Sequence, residues 1–125
     1  MENNDIHPNA KIGLKTRIYP YVYIESDVCI GKDCIIKPFV YIPNGTIIGD
    51  RVFIGMGTQI CNDKYPIVNN KDFIQKGVVI EDDVRIGANC TILPGIRIGK
   101  ESLIGAGCRV VKNVPRNITY IDGLR

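Results

Sequence analysis

A chain of 125 residues suffices for one compact domain and is too short for a multidomain enzyme with its own cofactor-binding domain. Charged residues make up 23% and hydrophobic residues 45%, which argues against extended disorder. Sixteen Lys and Arg against 13 Asp and Glu leave a net charge of +3, which is weak support for a nucleic-acid partner. We therefore expect residues 1–125 to form a single domain that does not bind nucleic acid.

The compartment is predicted from the apolar runs and the cysteines. The N-terminal residues lack the apolar core of a signal peptide, and 18 apolar residues nowhere follow one another. The five cysteines form no Cys-x-x-Cys pair and have no histidine at zinc-ligand spacing. We expect a cytoplasmic protein with free thiols, no metal and no membrane contact.

A six-residue repeat begins near the N-terminus and runs through most of the chain. Isoleucine occupies every sixth position at Ile6, Ile12, Ile18, Ile24, Ile30, Ile36, Ile42, Ile48, Ile54 and Ile60. After an interruption the register resumes at Ile74 and ends at Val110, which gives seventeen repeats. Most repeats carry a small or β-branched side chain four residues after the isoleucine. Positions i, i+4 and i+6 share one face of a strand, whereas i and i+6 lie on opposite sides of an α-helix, so the repeat predicts strands.

The repeat predicts how those strands assemble. Three repeats would close one triangular coil, and stacked coils would pair their strands in parallel and bury the isoleucines, each worth roughly 1.5–3 kcal/mol. Seventeen repeats give five to six coils. Glycine often follows the isoleucine, as in Ile54-Gly55, and we assign it to corners, where it tolerates φ values that other residues avoid. Residues 1–5 and the tail from Pro115 are predicted to cap the stack.

The interruption is the predicted location of function. Fourteen residues separate Ile60 from Ile74 where the repeat requires a multiple of six, so a loop at about 61–73 should leave the stack. It begins with an amide, a carboxylate, an ammonium and a phenol at consecutive positions, which are hydrogen-bonding groups suited to a sugar. These are the candidate site residues Asn62, Asp63, Lys64 and Tyr65.

The cysteines are weak candidates for a nucleophile. Cys34, Cys90 and Cys108 occupy the small inward position of the repeat and are predicted to fill the core. Cys29 and Cys61 fall at corner or outward positions, but neither has a histidine in the same repeat. We therefore predict no catalytic thiol.

The segment from Ile6 to Val114 resembles the hexapeptide-repeat acyltransferase superfamily. This resemblance implies an all-β fold, a left-handed parallel β-helix. The left hand comes from the resemblance alone, because the usual crossover rule predicts a right-handed connection. Within that superfamily, Asn62-Asp63-Lys64-Tyr65-Pro66, followed by the segments 86–95 and 104–107, is similar to N-acetyltransferases that act on nucleotide-linked 3-amino sugars.

The resemblance implies an activity and a site. Acetyl would pass from acetyl-CoA to the amine of a UDP- or dTDP-linked sugar, for surface glycan synthesis, in a homotrimer with sites between subunits. Asn62 would orient the amine or hydrogen-bond the tetrahedral intermediate, with substrate contacts at Tyr19 and Tyr21 and in the loop. The implied cofactor-binding residues are Gly87, Ala88, Gly105, Ala106, Gly107, Lys112 and Arg116. The last two belong to a C-terminal stretch, from Arg97 onward, with six basic and two acidic residues, which suits the CoA phosphates.

Alternative functions remain at this point. The one histidine, His7, lies in the first repeat and is not predicted to be catalytic, which favours an amine acceptor over a hydroxyl that needs a base. A γ-type carbonic anhydrase is excluded because its zinc requires three histidines. An O-acetyltransferase of the same fold and a non-catalytic trimeric scaffold stay open. Exposed aromatic residues on the flat outer faces also favour a trimer; they are Tyr19, Tyr21, Tyr23, Phe39, Tyr41 and Phe53.

Overall fold

The structure is a computed structural model, and it describes residues 3–122. These residues form a left-handed parallel β-helix of about six turns, which confirms the predicted fold class. Within this part of the chain no helix is long and apolar enough to cross a membrane. The described residues contain seventeen two-residue strands, numbered β1–β17 in chain order, which lie on three flat faces named A, B and C.

The strands visit the three faces in turn. Face A contains β1 (Asp5–Ile6), β4 (Tyr23–Ile24), β7 (Tyr41–Ile42), β10 (Gln59–Ile60), β13 (Thr91–Ile92) and β16 (Arg109–Val110). Face B contains β2 (Lys11–Ile12), β5 (Cys29–Ile30), β8 (Ile47–Ile48), β11 (Val79–Ile80) and β14 (Arg97–Ile98). Face C contains β3 (Arg17–Ile18), β6 (Ile35–Ile36), β9 (Phe53–Ile54), β12 (Arg85–Ile86), β15 (Leu103–Ile104) and β17 (Thr119–Tyr120). The turns between faces are named corners AB, BC and CA.

The isoleucine of each repeat points into the core. Ile24 pairs with Ile42 in the neighbouring coil, and both side chains are fully buried. The small residues before each strand, such as Val22 and Val40, are also buried and fill the space beside a corner. Because parallel pairing keeps equivalent residues in register, the isoleucines stack along each face.

Glycine has a different role from the one predicted. The left-handed residue of a corner is the third after the inward isoleucine, as at Tyr21 (φ 66°) and Gly57 (φ 77°). Gly55, which directly follows an isoleucine, is not left-handed, but a Cβ there would lie 2.5 Å from the backbone carbon of Gly87 in the next coil. The prediction of left-handed φ at these glycines was therefore wrong. Apart from Gly105, where a Cβ would have room, they are required for the close approach of adjacent coils.

Hydroxyl and thiol groups at the small inward positions connect the coils. The Thr58 hydroxyl donates to the Gly87 carbonyl oxygen at 3.0 Å and accepts the Cys90 N–H at 3.2 Å. The Cys90 thiol donates to the Gly105 carbonyl oxygen at 3.1 Å, and burial raises the pKa of this thiol. Cys34 and Cys108 are also buried, so the predicted core role of the three cysteines is confirmed.

The interruption is longer and the C-terminal tail more regular than predicted. Ile74 is 68% exposed and belongs to no strand, and the repeat resumes at β11. The loop therefore spans 61–77 and leaves the stack at corner AB, because Val78 is fully buried at the small inward position before β11. The tail from Pro115 continues the stack, because Val114 bridges to Ile98 and β17 pairs with β15. Its partners are 16 residues apart rather than the 18 of a regular coil, so the six-residue register is shortened by two residues. The number of strands equals the predicted number of repeats only because two errors cancel: the repeat predicted at Ile74 was wrong, and β17 was missed.

The outward aromatic residues form a strip over the N-terminal coils. At corner CA, Tyr21 and Phe39 are 55% and 56% exposed, and their rings stack with centroids 5.3 Å apart. On the adjoining face A, Tyr23 stacks on Tyr41 at 5.6 Å. Phe53 lies apart from this strip, on face C. We call the four stacked residues the aromatic strip.

Candidate active site

The loop is anchored to the coil on either side of it. The Lys76 N–H donates to the Asn62 carbonyl oxygen at 2.8 Å, which closes the two ends of the loop on each other. The Gly95 N–H in the following coil donates to the Lys76 carbonyl oxygen at 3.0 Å. These bonds fix the base of the loop at corner AB, so a side chain at position 62 has a defined place on a rigid scaffold.

The Asn62 side chain is held from the preceding coil. Its Nδ2 donates to the Asn44 carbonyl oxygen at 3.1 Å, and the Asn44 side chain in turn donates to the Ser26 carbonyl oxygen at 2.9 Å. The residues at positions 26, 44 and 62 each stand two residues after an inward isoleucine in consecutive coils. An amide with one N–H committed retains a second N–H and its oxygen, so Asn62 can still bind a ligand.

A carboxylate supports this row of polar residues. The Asn44 N–H donates to Glu25 Oε1 at 2.9 Å. Burial, followed by the influence of the Glu25 carboxylate, raises the pKa of the Tyr41 phenol. The sequence interpretation missed Glu25, Ser26 and Asn44. The 18-residue spacing that places Ser26 and Asn44 in line with Asn62 is the signal that points to them.

The next three predicted site residues lie together in the loop. Asp63, Lys64 and Tyr65 line a small cavity of about 140 Å³, together with Asn70, Asp72, Ile74 and Lys76. Asp63 Oδ1 accepts the Tyr65 N–H at 3.2 Å, and the Lys64 ammonium lies 5.8 Å from the centre of the Tyr65 ring. The cavity therefore offers both charges and an aromatic ring, with Asn62 at the base of the loop rather than in the cavity wall.

The loop also has an apolar surface that the sequence interpretation did not anticipate. Ile67, Val68, Phe73 and Ile74 are all exposed, and Val68 reaches 88%. The sequence interpretation considered only the polar residues in the N-terminal half of the loop. Four exposed apolar side chains on one loop are more than a surface loop usually leaves uncovered, which suggests that a partner or ligand contacts them.

The predicted cofactor glycines lie at corner CA, and their amides are used within the stack. The N–H groups of Gly87 and Gly107 donate to the carbonyl oxygens of Ile104 and Ala88, each at 2.8 Å. Gly105 likewise donates to Tyr120 at 3.0 Å. Among the predicted cofactor residues at this corner, the Ala88 and Ala106 amides make no such bond, so they remain as donors for a pantetheine chain.

One chain does not bring the whole predicted site together. Asn62 and the glycines Gly87 and Gly105 lie at opposite edges of face A. Lys112 follows β16 at corner AB, whereas Arg116 precedes β17 at corner BC. A single bound CoA therefore cannot contact all the predicted residues of one chain, because they occupy three different corners.

The predicted substrate tyrosines lie at corner CA, in N-terminal coils. The Lys37 ammonium lies 4.2 Å and the Arg17 guanidinium carbon 5.0 Å from the centre of the Tyr19 ring. Tyr21 belongs to the aromatic strip. Both are therefore separated from Asn62 by the width of face A, in the same way as the glycines.

His7 lies at corner AB, on the same edge as Asn62. Its Nδ1 accepts the Asn9 N–H at 3.1 Å, so the proton of the neutral ring is assigned to Nε2. Three coils separate His7 from Asn62, which is roughly 14 Å at about 4.8 Å per coil. Among residues 3–122 no group of three or more His, Cys, Asp or Glu side chains is arranged to hold a metal ion.

Comparison with known proteins agrees with this architecture. The bifunctional protein GlmU of Thermodesulfovibrio yellowstonii is 33% identical over 98% of this chain, which spans 28% of that protein. The hexapeptide-repeat acetyltransferase VCA0836 of Vibrio cholerae is 29% identical, with a TM-score of 0.79 over 90% of this chain and 69% of its own. PerB of Caulobacter crescentus, solved with CoA and GDP-perosamine, has a TM-score of 0.81 and 20% identity over 95% of this chain and 51% of its own.

The family itself is defined by the repeat. The model of the bacterial transferase hexapeptide family, which describes six repeats, matches residues 9–44 and 77–112. The two matched segments flank the loop and together cover more than half of the chain. The chain therefore belongs to the bacterial transferase hexapeptide family.

Proposed function

We propose that this chain is an acetyl-CoA-dependent N-acetyltransferase acting on the amine of a UDP- or dTDP-linked amino sugar, with the amine at the 3-position. The observation that carries the proposal is Asn62, an amide held at the base of an extruded loop by a hydrogen bond from its Nδ2 to Asn44. Membership of a transferase family supports the reaction type, and PerB, crystallised with CoA and GDP-perosamine, supports the class of acceptor.

The proposed chemistry needs few protein groups. The lone pair of the sugar amine attacks the thioester carbonyl carbon, a C–N bond forms, and the C–S bond breaks to release CoA thiolate. The proton lost by the amine passes to that thiolate or to water. Asn62 positions the amine through its oxygen or donates its remaining N–H to the developing oxyanion, which is a role for a preorganised group rather than a base.

The proposed site lies between copies of the chain. The loop of one copy and corner CA of another would supply Asn62 and the Ala88 and Ala106 amides to one acetyl-CoA, because within one chain these groups lie at opposite edges of face A. The exposed aromatic strip and the apolar side of the loop support such an assembly, since a monomer seldom leaves these surfaces uncovered. We propose a homotrimer, and light scattering should return three times the chain mass of 13.9 kDa.

Release of free thiol from acetyl-CoA tests the function. The assay uses UDP-, dTDP- and GDP-linked amino sugars, each matched with the parent sugar that carries a hydroxyl in place of the amine. We expect thiol release with one or more amines and none with the hydroxyl controls. Release with the hydroxyl sugars alone would establish the O-acetyltransferase alternative. Absence of acetyl-CoA binding in calorimetry would establish the scaffold.

A further inference from the structure

A second polar cleft lies on corner AB, on the N-terminal side of Asn62. It has a volume of about 280 Å³ and extends over the first three coils. The side chains that matter for its chemistry are Asp5, His7, Tyr23, Glu25, Ser26 and Asn44. None of these was predicted from the sequence to bind a ligand.

The groups in the wall combine hydrogen-bond donors with acceptors. Asn44 and Ser26 are fixed by the hydrogen bond between the Asn44 side chain and the Ser26 backbone, and Glu25 is fixed by the Asn44 N–H. Each retains capacity for a ligand, namely the Ser26 hydroxyl proton, the Asn44 amide oxygen and the second Glu25 oxygen. His7, with its proton on Nε2, adds a donor at the far end of the cleft.

The charge of the cleft selects among ligands. The described residues that line it include two carboxylates, Asp5 and Glu25, and no lysine or arginine. The carboxylates would repel a phosphate, whereas a neutral or cationic molecule with several hydroxyl groups would pair with the hydrogen-bonding groups of the wall. Tyr23, stacked on Tyr41, offers an aromatic surface of the kind that carries the apolar face of a sugar ring.

The cleft is connected to Asn62. Asn44 lines the cleft, and its carbonyl oxygen accepts the Asn62 amide proton at 3.1 Å. Neighbouring coils lie about 4.8 Å apart, which is close to the width of a sugar ring. A ring held by Glu25, Ser26 and Asn44 can therefore present a substituent to Asn62.

We propose that this cleft binds the amino-sugar ring of the acceptor and that the nucleotide diphosphate lies outside it. The identity of the ring as the acceptor rests on the proposed function. The carboxylates also suit an ammonium group, so an amino sugar should bind more tightly than the corresponding hydroxyl sugar.

NMR of His7 tests the proposal without any activity measurement. The chain has one histidine, so the imidazole carbon-bound protons of the untagged protein report on the cleft alone. The probes are the methyl glycoside of an amino sugar, the methyl glycoside of its hydroxyl parent, inorganic phosphate and UDP. We expect saturable shifts with the two glycosides at millimolar concentration, larger for the amino sugar, and none with phosphate or UDP.

Variants connect the shifts to the wall of the cleft. Ser26→Ala removes the Ser26 hydroxyl, which also accepts from Asn44 Nδ2, but leaves the bond from Asn44 Nδ2 to the Ser26 carbonyl oxygen in place. Glu25→Gln keeps an acceptor for the Asn44 N–H while removing the charge. Each should weaken glycoside binding several-fold, and Glu25→Gln should reduce the preference for the amine. Glu101→Gln, at corner BC, is the matched control and should bind as the unaltered protein does.

The outcomes separate this inference from the proposed function. If neither glycoside shifts the His7 resonances, or if phosphate or UDP shifts them instead, the proposal of a sugar-binding cleft is refuted. This conclusion holds whether or not acetyl transfer is found. Glycoside binding that depends on Ser26 and Glu25, in a chain that transfers acetyl to no amine, would leave a sugar-binding cleft and refute the transferase.

Discussion

Replacement of Gly55 by alanine should strongly destabilise the fold, and the structure provides a matched control. A Cβ at Gly55 would lie 2.5 Å from the Gly87 carbonyl carbon and 2.6 Å from the Ala88 nitrogen, both backbone atoms that cannot rotate away. Gly105 occupies the same repeat position on corner CA, but its nearest neighbour would be the Ile121 side chain at 3.4 Å. The two glycines therefore differ mainly in the space available.

The magnitude follows from the spacing of the coils. Relief of the Gly55 contact requires roughly 1 Å of separation before carbon atoms reach normal van der Waals distance. The hydrogen bond from the Gly55 N–H to the Ile86 carbonyl oxygen, 2.8 Å long, would stretch beyond bonding distance. Overpacking of about 1–3 kcal/mol and a lost hydrogen bond of about 1 kcal/mol predict a loss of roughly 2–4 kcal/mol.

Urea denaturation followed by circular dichroism measures the difference. Gly55→Ala should lower the midpoint markedly, whereas Gly105→Ala should change stability by less than about 1 kcal/mol, since alanine also restricts the unfolded chain. Equal destabilisation of the two variants would refute the argument that Gly55 serves the close approach of coils. A stabilised Gly55→Ala would refute it more directly.

Three further predictions concern thiols, charge and pH. Ellman's reagent should modify the exposed Cys29 thiol fast and the half-buried Cys61 thiol slowly, because burial raises the pKa of Cys61. Cys34 and Cys90 should react only on unfolding, and early reaction of either would contradict the buried core. In calorimetry at low salt, Lys112→Ala should weaken acetyl-CoA binding about tenfold, whereas Arg116→Ala, at corner BC, should have little effect. A larger loss of affinity in Arg116→Ala than in Lys112→Ala would place the CoA phosphates at corner BC. The Lys100 N–H and Arg97 hold the pKa of Glu81 below its usual value, and Arg51 does the same for Asp83. Carboxyl groups with lowered pKa values stabilise the fold above about pH 4, and this contribution is lost as the pH falls through the lowered values. The free energy of unfolding of Asp83→Asn, measured by urea denaturation, should therefore decrease less on acidification than that of the unaltered protein.

The repeat made the fold predictable from the sequence, and the exceptions have physical reasons. Isoleucine at every sixth position specifies an inward ladder wherever it occurs within a continuous register. Ile74 lies six residues before Ile80 by coincidence. It belongs to the loop, which extends further along the chain than the spacing of the isoleucines indicated. Tyr120 was missed because it lies 16 residues after its partner Ile104, two fewer than in a regular coil, so it falls outside the six-residue register.

The site was predictable only in part, because its residues come from separate coils. Asn62 and its neighbours are consecutive, so the loop was visible as an interruption. Glu25 and Asn44 are polar residues in ordinary repeats, and the contacts from Glu25 to Asn44 and from Asn44 to Asn62 arise from the stacking of coils. The commitment of the Gly87 and Gly105 amides to neighbouring coils is likewise a property of the stack, which no local pattern reveals.

The central claim is that Asn62, rather than a histidine, serves the reacting amine, and steady-state kinetics of Asn62→Ala test it most directly. With an amino-sugar nucleotide and acetyl-CoA, kcat should fall by about 10²–10³, the scale of one lost oxyanion donor, while the proposed trimer and the melting temperature persist. His7→Asn should keep kcat within a few-fold, with its effect confined to KM, and the pH profile of the unaltered protein should rise once with titration of the substrate amine. An unchanged kcat in Asn62→Ala, or loss of turnover in a folded, trimeric His7→Asn, would contradict the account.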